Sequence, residues 1–250
     1  MVGGFHQIGI TAHRMQINNK NVLITVNSTA NFYKDTLPKN LKSLIDAGVD
    51  KKDILVVIGG FDDPEEASEV EVCLRFIWDI WKIYAVKQNS CDHTLFNFLI
   101  DRPEVFDGFD YLFYMHDTCW VGLDFVKKLN DLTPEKDVDS FGLTQFWSMN
   151  IGLYNIPYLL KLKDQIRKAH NLINTREEVN RWKQWGAKTE DYLMNRAYGH
   201  YTKFDKTESI TMENPYGKSA RRRTRYFQCL DLYKSQSNWN GVKDQMGVNL

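Results

Sequence analysis

The sequence predicts an α/β domain with a mixed, mostly parallel central sheet flanked by helices, and three observations carry that prediction. Val22-Leu23-Ile24-Thr25-Val26 and Ile54-Leu55-Val56-Val57-Ile58 are short apolar runs rich in β-branched residues, the pattern of strands buried on both faces. Between them Leu37, Leu41 and Leu44 share one helical face, Pro38 suits a first turn and Gly48 suits the stop. Strand, helix and strand between residues 22 and 58 form a βαβ unit, which makes the sheet at least partly parallel.

The alternation continues. Ile83-Tyr84-Ala85-Val86 reads as a third strand, and Asp92 can cap a helix carrying Leu95, Phe96, Phe98 and Leu99. Tyr111-Leu112-Phe113-Tyr114-Met115 is a fourth strand, ending at His116-Asp117-Thr118-Cys119. A short helix with Leu123, Val126 and Leu129 follows, then a strand at Phe141-Gly142-Leu143-Thr144-Gln145. One helix runs from Tyr158 to about His170; Thr175 with Glu178 has capping-box spacing for the next, and Thr189 caps a third. Beyond Tyr201 the chain is polar, with short strand-like pieces and a basic run, Arg221-Arg222-Arg223-Thr224-Arg225. With no Gly/Ser linker and no repeat, residues 1–250 are read as one domain, a nucleotide-binding half over about 20–120 and an acceptor half over about 121–250.

Composition narrows the function classes. Lys+Arg and Asp+Glu both total 32, so the surplus positive charge that a general nucleic-acid binder needs is missing. Cys73, Cys91, Cys119 and Cys229 form no CxxC pair, which argues against a zinc site or a disulfide scaffold and for a reducing compartment. The N-terminal residues lack the unbroken apolar stretch of a signal peptide, and no segment has the length to span a bilayer. A cytoplasmic location is expected, with the sequon Asn27-Ser28-Thr29 unused beside a buried strand.

In open α/β sheets ligands bind at the carboxyl ends of the strands. Those ends carry Asn27-Ser28-Thr29, Gly59-Gly60, Asn89 to Asp92, and His116-Asp117-Thr118. Asp117 can reach a divalent metal that bridges phosphate oxygens, or it can cap the helix near Gly122. Asp92 can accept from the N–H of a uracil-like base, or serve as an N-cap. Glu190 and Asp191 open a helix, where a carboxylate can act as general base or merely answer the helix dipole. Arg222 and its neighbours can hold phosphates or form a solvated cluster. Trp78, Trp81, Trp182 and Trp185 can stack on sugars, but their spacing of three suits core packing on a helical face.

The order of these segments resembles the GT-A glycosyltransferases. VLITVNSTANFYKDTLPKNLKSLIDAGVDKKDILVVIGG is similar to their opening βαβ unit, NSCDHTLFNFLI to the segment whose aspartate touches the base, YLFYMHDTCWVG to the strand and DxD motif, and TEDYLMNR to the helix-opening ED motif of inverting members. SMNIGLYNIPYLL looks like the segment lining the donor sugar and acceptor, with Asn150 and Gly152 nearest.

The resemblance implies a nucleotide-sugar-dependent transfer from a nucleoside-diphosphate donor to a glycan or other hydroxyl acceptor, with inversion and with Mn²⁺ or Mg²⁺ as cofactor. It implies Asp191 (or Glu190) as base, Asp117 as metal ligand assisted by His116 or His200, and donor contacts from Asn27, Ser28, Thr29, Asn89, Asp92, His116, Asn150, Gly152 and Arg222. The chain departs from the DxD pattern at His116, where the first carboxylate of the pair is absent. Two alternatives stand beside it. A nucleotidyltransferase acting on a sugar phosphate would carry a Gly-rich phosphate loop, which Asn27-Ser28-Thr29-Ala30-Asn31 is not. A non-catalytic nucleotide- or carbohydrate-binding protein of the same fold would tolerate the His116 departure.

Overall fold

The computed structural model describes residues 15–17, 19–131, 139–142, 151–172, 193, 208–212 and 224–235. Strand β1 (Gln16–Ile17) turns back through Asn19, at φ 62°, into the long strand β2 (Lys20–Thr29). Helix α1 (Tyr33–Asp46), strand β3 (Ile54–Gly59), helix α2 (Pro64–Trp78) and strand β4 (Lys82–Val86) follow. Then come α3 (Asp92–Asp101), β5 (Tyr111–His116), β6 (Cys119–Val121), α4 (Phe125–Asn130), β7 (Ser140–Gly142), β8 (Gly152–Asn155), α5 (Ile156–Lys161) and α6 (Lys163–Leu172). The last described elements are β9 (Glu208–Met212), β10 (Thr224–Phe227) and β11 (Leu232–Ser235).

The main sheet runs β4-β3-β2-β5-β8-β7, with β1 beside the start of β2. Strands β4, β3, β2 and β5 are mutually parallel, whereas β8 and β7 are antiparallel to their neighbours. This is the mixed, mostly parallel α/β sheet expected from the sequence. Because side chains alternate along a strand, each central strand feeds two cores. Val22, Ile24, Val26, Val56, Ile58, Phe113 and Met115 pack with α1, α2 and α4 on one face; Leu23, Leu55, Val57, Leu112 and Tyr114 pack with α3, α5 and α6 on the other. A second sheet, β6-β11-β10-β9, is antiparallel and closes the first core through Val121, Phe227 and Leu232.

Several local expectations are corrected. Helix α1 starts at Tyr33, so Pro38 lies inside it; a proline there removes one helical hydrogen bond, and the buried Leu37, Leu41 and Leu44 outweigh that loss. The helix between Tyr158 and His170 is two, α5 and α6, broken at Leu162. Trp81 does not share a helical face with Trp78: the helix ends at Trp78, Asp79 takes a left-handed conformation at φ 54°, and Trp81 is exposed. The helix holding Val126 and Leu129 begins only at Phe125, leaving Leu123 exposed. Thr175, Glu178, Thr189, Trp182, Trp185 and residues 143–145 lie outside the described residues.

Candidate active site at the switch point

From β2 the chain moves outward through α1 to β3 and α2 to β4, then crosses back through α3 to β5 on the other side of β2. Helices α1 and α3 therefore leave opposite faces of the sheet, the topology in which α/β folds place a ligand crevice, here at the carboxyl ends of β2 and β5. Asn27 is directly paired with His116 across that crevice, and the Asp117 amide donates to the Asn27 carbonyl at 3.0 Å.

On the α1 side the Asp117 carboxylate is fixed by two hydroxyls. Its Oδ2 accepts from Ser28 Oγ at 2.5 Å and from Thr36 Oγ1, in the first turns of α1, at 2.6 Å. Charge-assisted bonds of this length lock the rotamer. The Oδ1 atom accepts no hydrogen bond among the described residues. Asp117 does not cap the following helix, whose N-cap residue is Asp124. Next to it, Thr118 Oγ1 receives the buried Lys234 ammonium of β11, and the Ser235 amide donates to the Thr118 carbonyl at 3.1 Å. The second sheet thus pins the turn that carries Asp117.

On the α3 side Asp92 is not the N-cap but the first residue of the helix. Cys91 is the N-cap residue, and Asp92 Oδ1 accepts from the Tyr114 hydroxyl at 2.8 Å and pairs with His116 Nε2 at 2.8 Å. Burial and the adjacent Asp92 hold the Tyr114 hydroxyl protonated, well above its usual range. Asn27 Nδ2 donates to the Cys91 carbonyl at 3.1 Å, while its buried Oδ1 finds no donor among the described residues. The Thr29 hydroxyl is likewise unpartnered there.

The loop from Gln88 to Cys91 is shaped to lie against the sheet. Asn89 Oδ1 accepts from the Cys91 amide at 3.0 Å, and Cys91 itself sits at φ 55°, ψ −129°, a strained position for a residue with a Cβ. Gly59 permits the approach: a Cβ there would lie 2.8 Å from the Gln88 carbonyl oxygen and 2.9 Å from Thr94. Helix α6 braces the loop from outside, with His170 Nδ1 against Ser90 Oγ and Gln88 Nε2 donating to the His170 carbonyl at 2.5 Å.

Of the sequence-predicted residues, Asn27, Ser28, Thr29, Asn89, Asp92, His116 and Asp117 converge on this crevice. Gly152 lies on β8 opposite Tyr114, where a Cβ would stand 2.3 Å from the Phe141 carbonyl oxygen, so strand packing alone demands glycine. Asp191, Glu190, His200, Asn150 and Arg222 lie outside the described residues. Sequence reasoning missed Thr36, Lys234 and His170, which come from distant segments; no local spacing announces them.

The fit to a divalent cation is partial. Among the described residues no three His, Cys, Asp or Glu side chains gather into a cation cage, and His116 Nε2 is engaged by Asp92. Asp117 keeps one oxygen, Oδ1, without a hydrogen bond among the described residues, which matches the way Mg²⁺ is held by one or two carboxylates while substrate phosphates and water complete its shell.

No protein-family model matches the chain, and no curated protein sequence matches it. Some solved structures resemble it in part. The apo glycosyltransferase GlyE of Streptococcus pneumoniae TIGR4 aligns at TM-score 0.42 and 15% identity, over 72% of this chain and 44% of GlyE. S. aureus TarS 1-349 in complex with UDP aligns at 0.39 and 12%, over 69% of this chain and 54% of that one. A glycosyltransferase involved in glycosylation of the major capsid of PBCV-1 aligns at 0.28 and 14%, over 68% and 74%. The chain thus spans about half or less of the GlyE and TarS structures it matches, and scores this low carry no argument about activity.

Proposed function

We propose that this chain is a glycosyltransferase that moves a sugar from a nucleoside-diphosphate donor to an acceptor hydroxyl. The observation that carries the reading is the β2/β5 switch point with the Asp117 carboxylate fixed there through Oδ2, its Oδ1 taking no hydrogen bond among the described residues. A nucleotide-binding sheet places its ligand at such a point. The buried Asn27 Oδ1 is an acceptor awaiting a donor, as a base N–H or a ribose hydroxyl would provide.

In this reading Asp117 would hold Mn²⁺ or Mg²⁺ through Oδ1, and the ion, when bound, would neutralise charge on the departing diphosphate. Ser28 and Thr36 keep the carboxylate in that rotamer, and Asn27 orients the nucleoside. Asp191, with Glu190 as the lesser candidate, takes the proton from the acceptor hydroxyl as it attacks the anomeric carbon, so a single displacement inverts the centre. Asp191→Asn is expected to abolish transfer while sparing donor binding; near-normal turnover would remove Asp191 as base.

One observation favours a second reading, a binding protein of the same fold. The residue in place of the first DxD carboxylate, His116, is turned inward to Asp92. Tight binding of a nucleotide sugar with no turnover toward any acceptor would support it.

A further inference from the structure

We propose that Lys234, on the C-terminal strand β11, is a positioning residue for Asp117, taking that site as the glycosyltransferase centre proposed above. The second sheet is then a working part of the nucleotide site. Asp117 lies at the joint between the two sheets: β5 of the main sheet ends at His116, and β6 of the second begins at Cys119. On the β5 side the Asp117 amide donates to the Asn27 carbonyl at 3.0 Å. On the β6 side Cys119 is in register with Lys234, and its carbonyl accepts from Asn40 Nδ2 of α1 at 2.9 Å. Asp117 and Thr118 alone span the gap, so the place of the carboxylate depends on how the second sheet is docked.

A lysine is an unexpected choice at this point of β11. Side chains alternate along a strand, and Leu232, two residues earlier on the same face, joins the first core. Cys119, across the ladder from Lys234, is fully buried in that core too. An apolar side chain could fill the position without taking a charge out of water. Inward lysines can guard edge strands against unwanted pairing, but β11 lies between β6 and β10 and is paired on both sides.

What the buried Lys234 does is deliver its ammonium to the Thr118 hydroxyl. The next residue, Ser235, donates its amide to the Thr118 carbonyl at 3.1 Å. Consecutive residues of one strand thus grip the residue beside Asp117 by side chain and backbone. With Ser28 and Thr36 on the carboxylate itself, Asp117 is fixed from β2, α1 and β11 together.

Two measurements on the full chain test this. Hydrogen–deuterium exchange over residues 116–121 is expected to quicken about tenfold in Lys234→Met, the size of a lost hydrogen bond to a charged group. Thr118→Val, which removes the other end of the same bond, is expected to match it, and Thr118→Ser, which keeps the hydroxyl, to stay near native. Calorimetry with UDP, GDP, ADP, CDP and dTDP, each with and without Mn²⁺, then reads the site. The metal-dependent gain in affinity for the diphosphate that the native chain binds is expected to fall about tenfold in Lys234→Met, with affinity for the matching nucleoside unchanged. Lys128 ties the same hairpin to α4 through the Gln228 carbonyl at 2.6 Å, and Lys128→Met is expected to leave nucleotide affinity as it was. Native exchange at 116–121 in Lys234→Met overturns the proposal, as does a metal-dependent affinity that Asp117→Ala abolishes and Lys234→Met keeps. An equal loss in Lys128→Met overturns it in favour of hairpin docking alone. If the native chain binds no diphosphate, or gains nothing from Mn²⁺, the reading of the site falls and the role of Lys234 with it.

Discussion

Asp92 shows how much a single carboxylate can organise. It ties α3 to β5 through the Tyr114 hydroxyl and His116, so Asp92→Ala leaves a buried phenol without its acceptor. An unmade buried hydrogen bond costs about 1–3 kcal/mol, more for a charged partner, and a loss of about 3 kcal/mol is expected by urea denaturation. Asp117→Ala leaves the buried Ser28 and Thr36 hydroxyls without their shared acceptor; it is expected to cost about 1–3 kcal/mol and to lower nucleoside-diphosphate affinity by tenfold or more, read by calorimetry with and without Mn²⁺. Unchanged affinity would take Asp117 out of the site. His93, next to Asp92, is fully buried, and burial lowers its pKa from 6.5 to about 4, with Asp92 opposing and His170 assisting. The unfolded chain binds that proton at higher pH than the folded one. Stability is therefore full above pH 6.5 and falls as pH drops toward 4, by about 3 kcal/mol at most. His170, lowered by partial burial, acts in the same direction. His93→Gln is expected to flatten the acid limb of the stability profile.

At the scale of elements, the strands were legible because burial on both faces writes them as unbroken apolar runs; β2, β3, β4 and β5 fall where Val22–Val26, Ile54–Ile58, Ile83–Val86 and Tyr111–Met115 indicated. Helix α2 was not, because Val72, Phe76 and Ile77 on the exposed side of its second half blur the period. Strand β6 escaped notice because three residues are too few to show alternation; its pairing with β11, more than a hundred residues later, decides it. The cap of α3 was misread because Asp92 has stronger calls on it than a backbone amide. The β4 edge belongs here too. Arg75→Ala removes the cover from the Ile83 carbonyl, and faster growth of light scattering on heating is expected than for the native chain.

For the molecule as a whole, the juxtaposition of the candidate residues was legible in part. Neighbouring parallel strands bring their carboxyl ends together, so the grouping of Asn27, Ser28, His116 and Asp117 follows from strand order. The clamp on Asp117 could not, since Thr36 and Lys234 reach it only after the chain has folded. No helix among the described residues is long and apolar enough to cross a membrane. The arrangement sets the clamped Asp117 carboxylate on one side of the switch point and the braced Gln88–Cys91 loop on the other. The central claim is that this crevice activates a nucleotide sugar. Its most direct test is a panel of nucleoside-diphosphate sugars, each incubated with the chain and with or without Mn²⁺, scored for released diphosphate. The account predicts metal-stimulated release from one donor, lost in Asp117→Ala; release that Asp117→Ala leaves unchanged, or none from any donor with acceptors supplied, would contradict it.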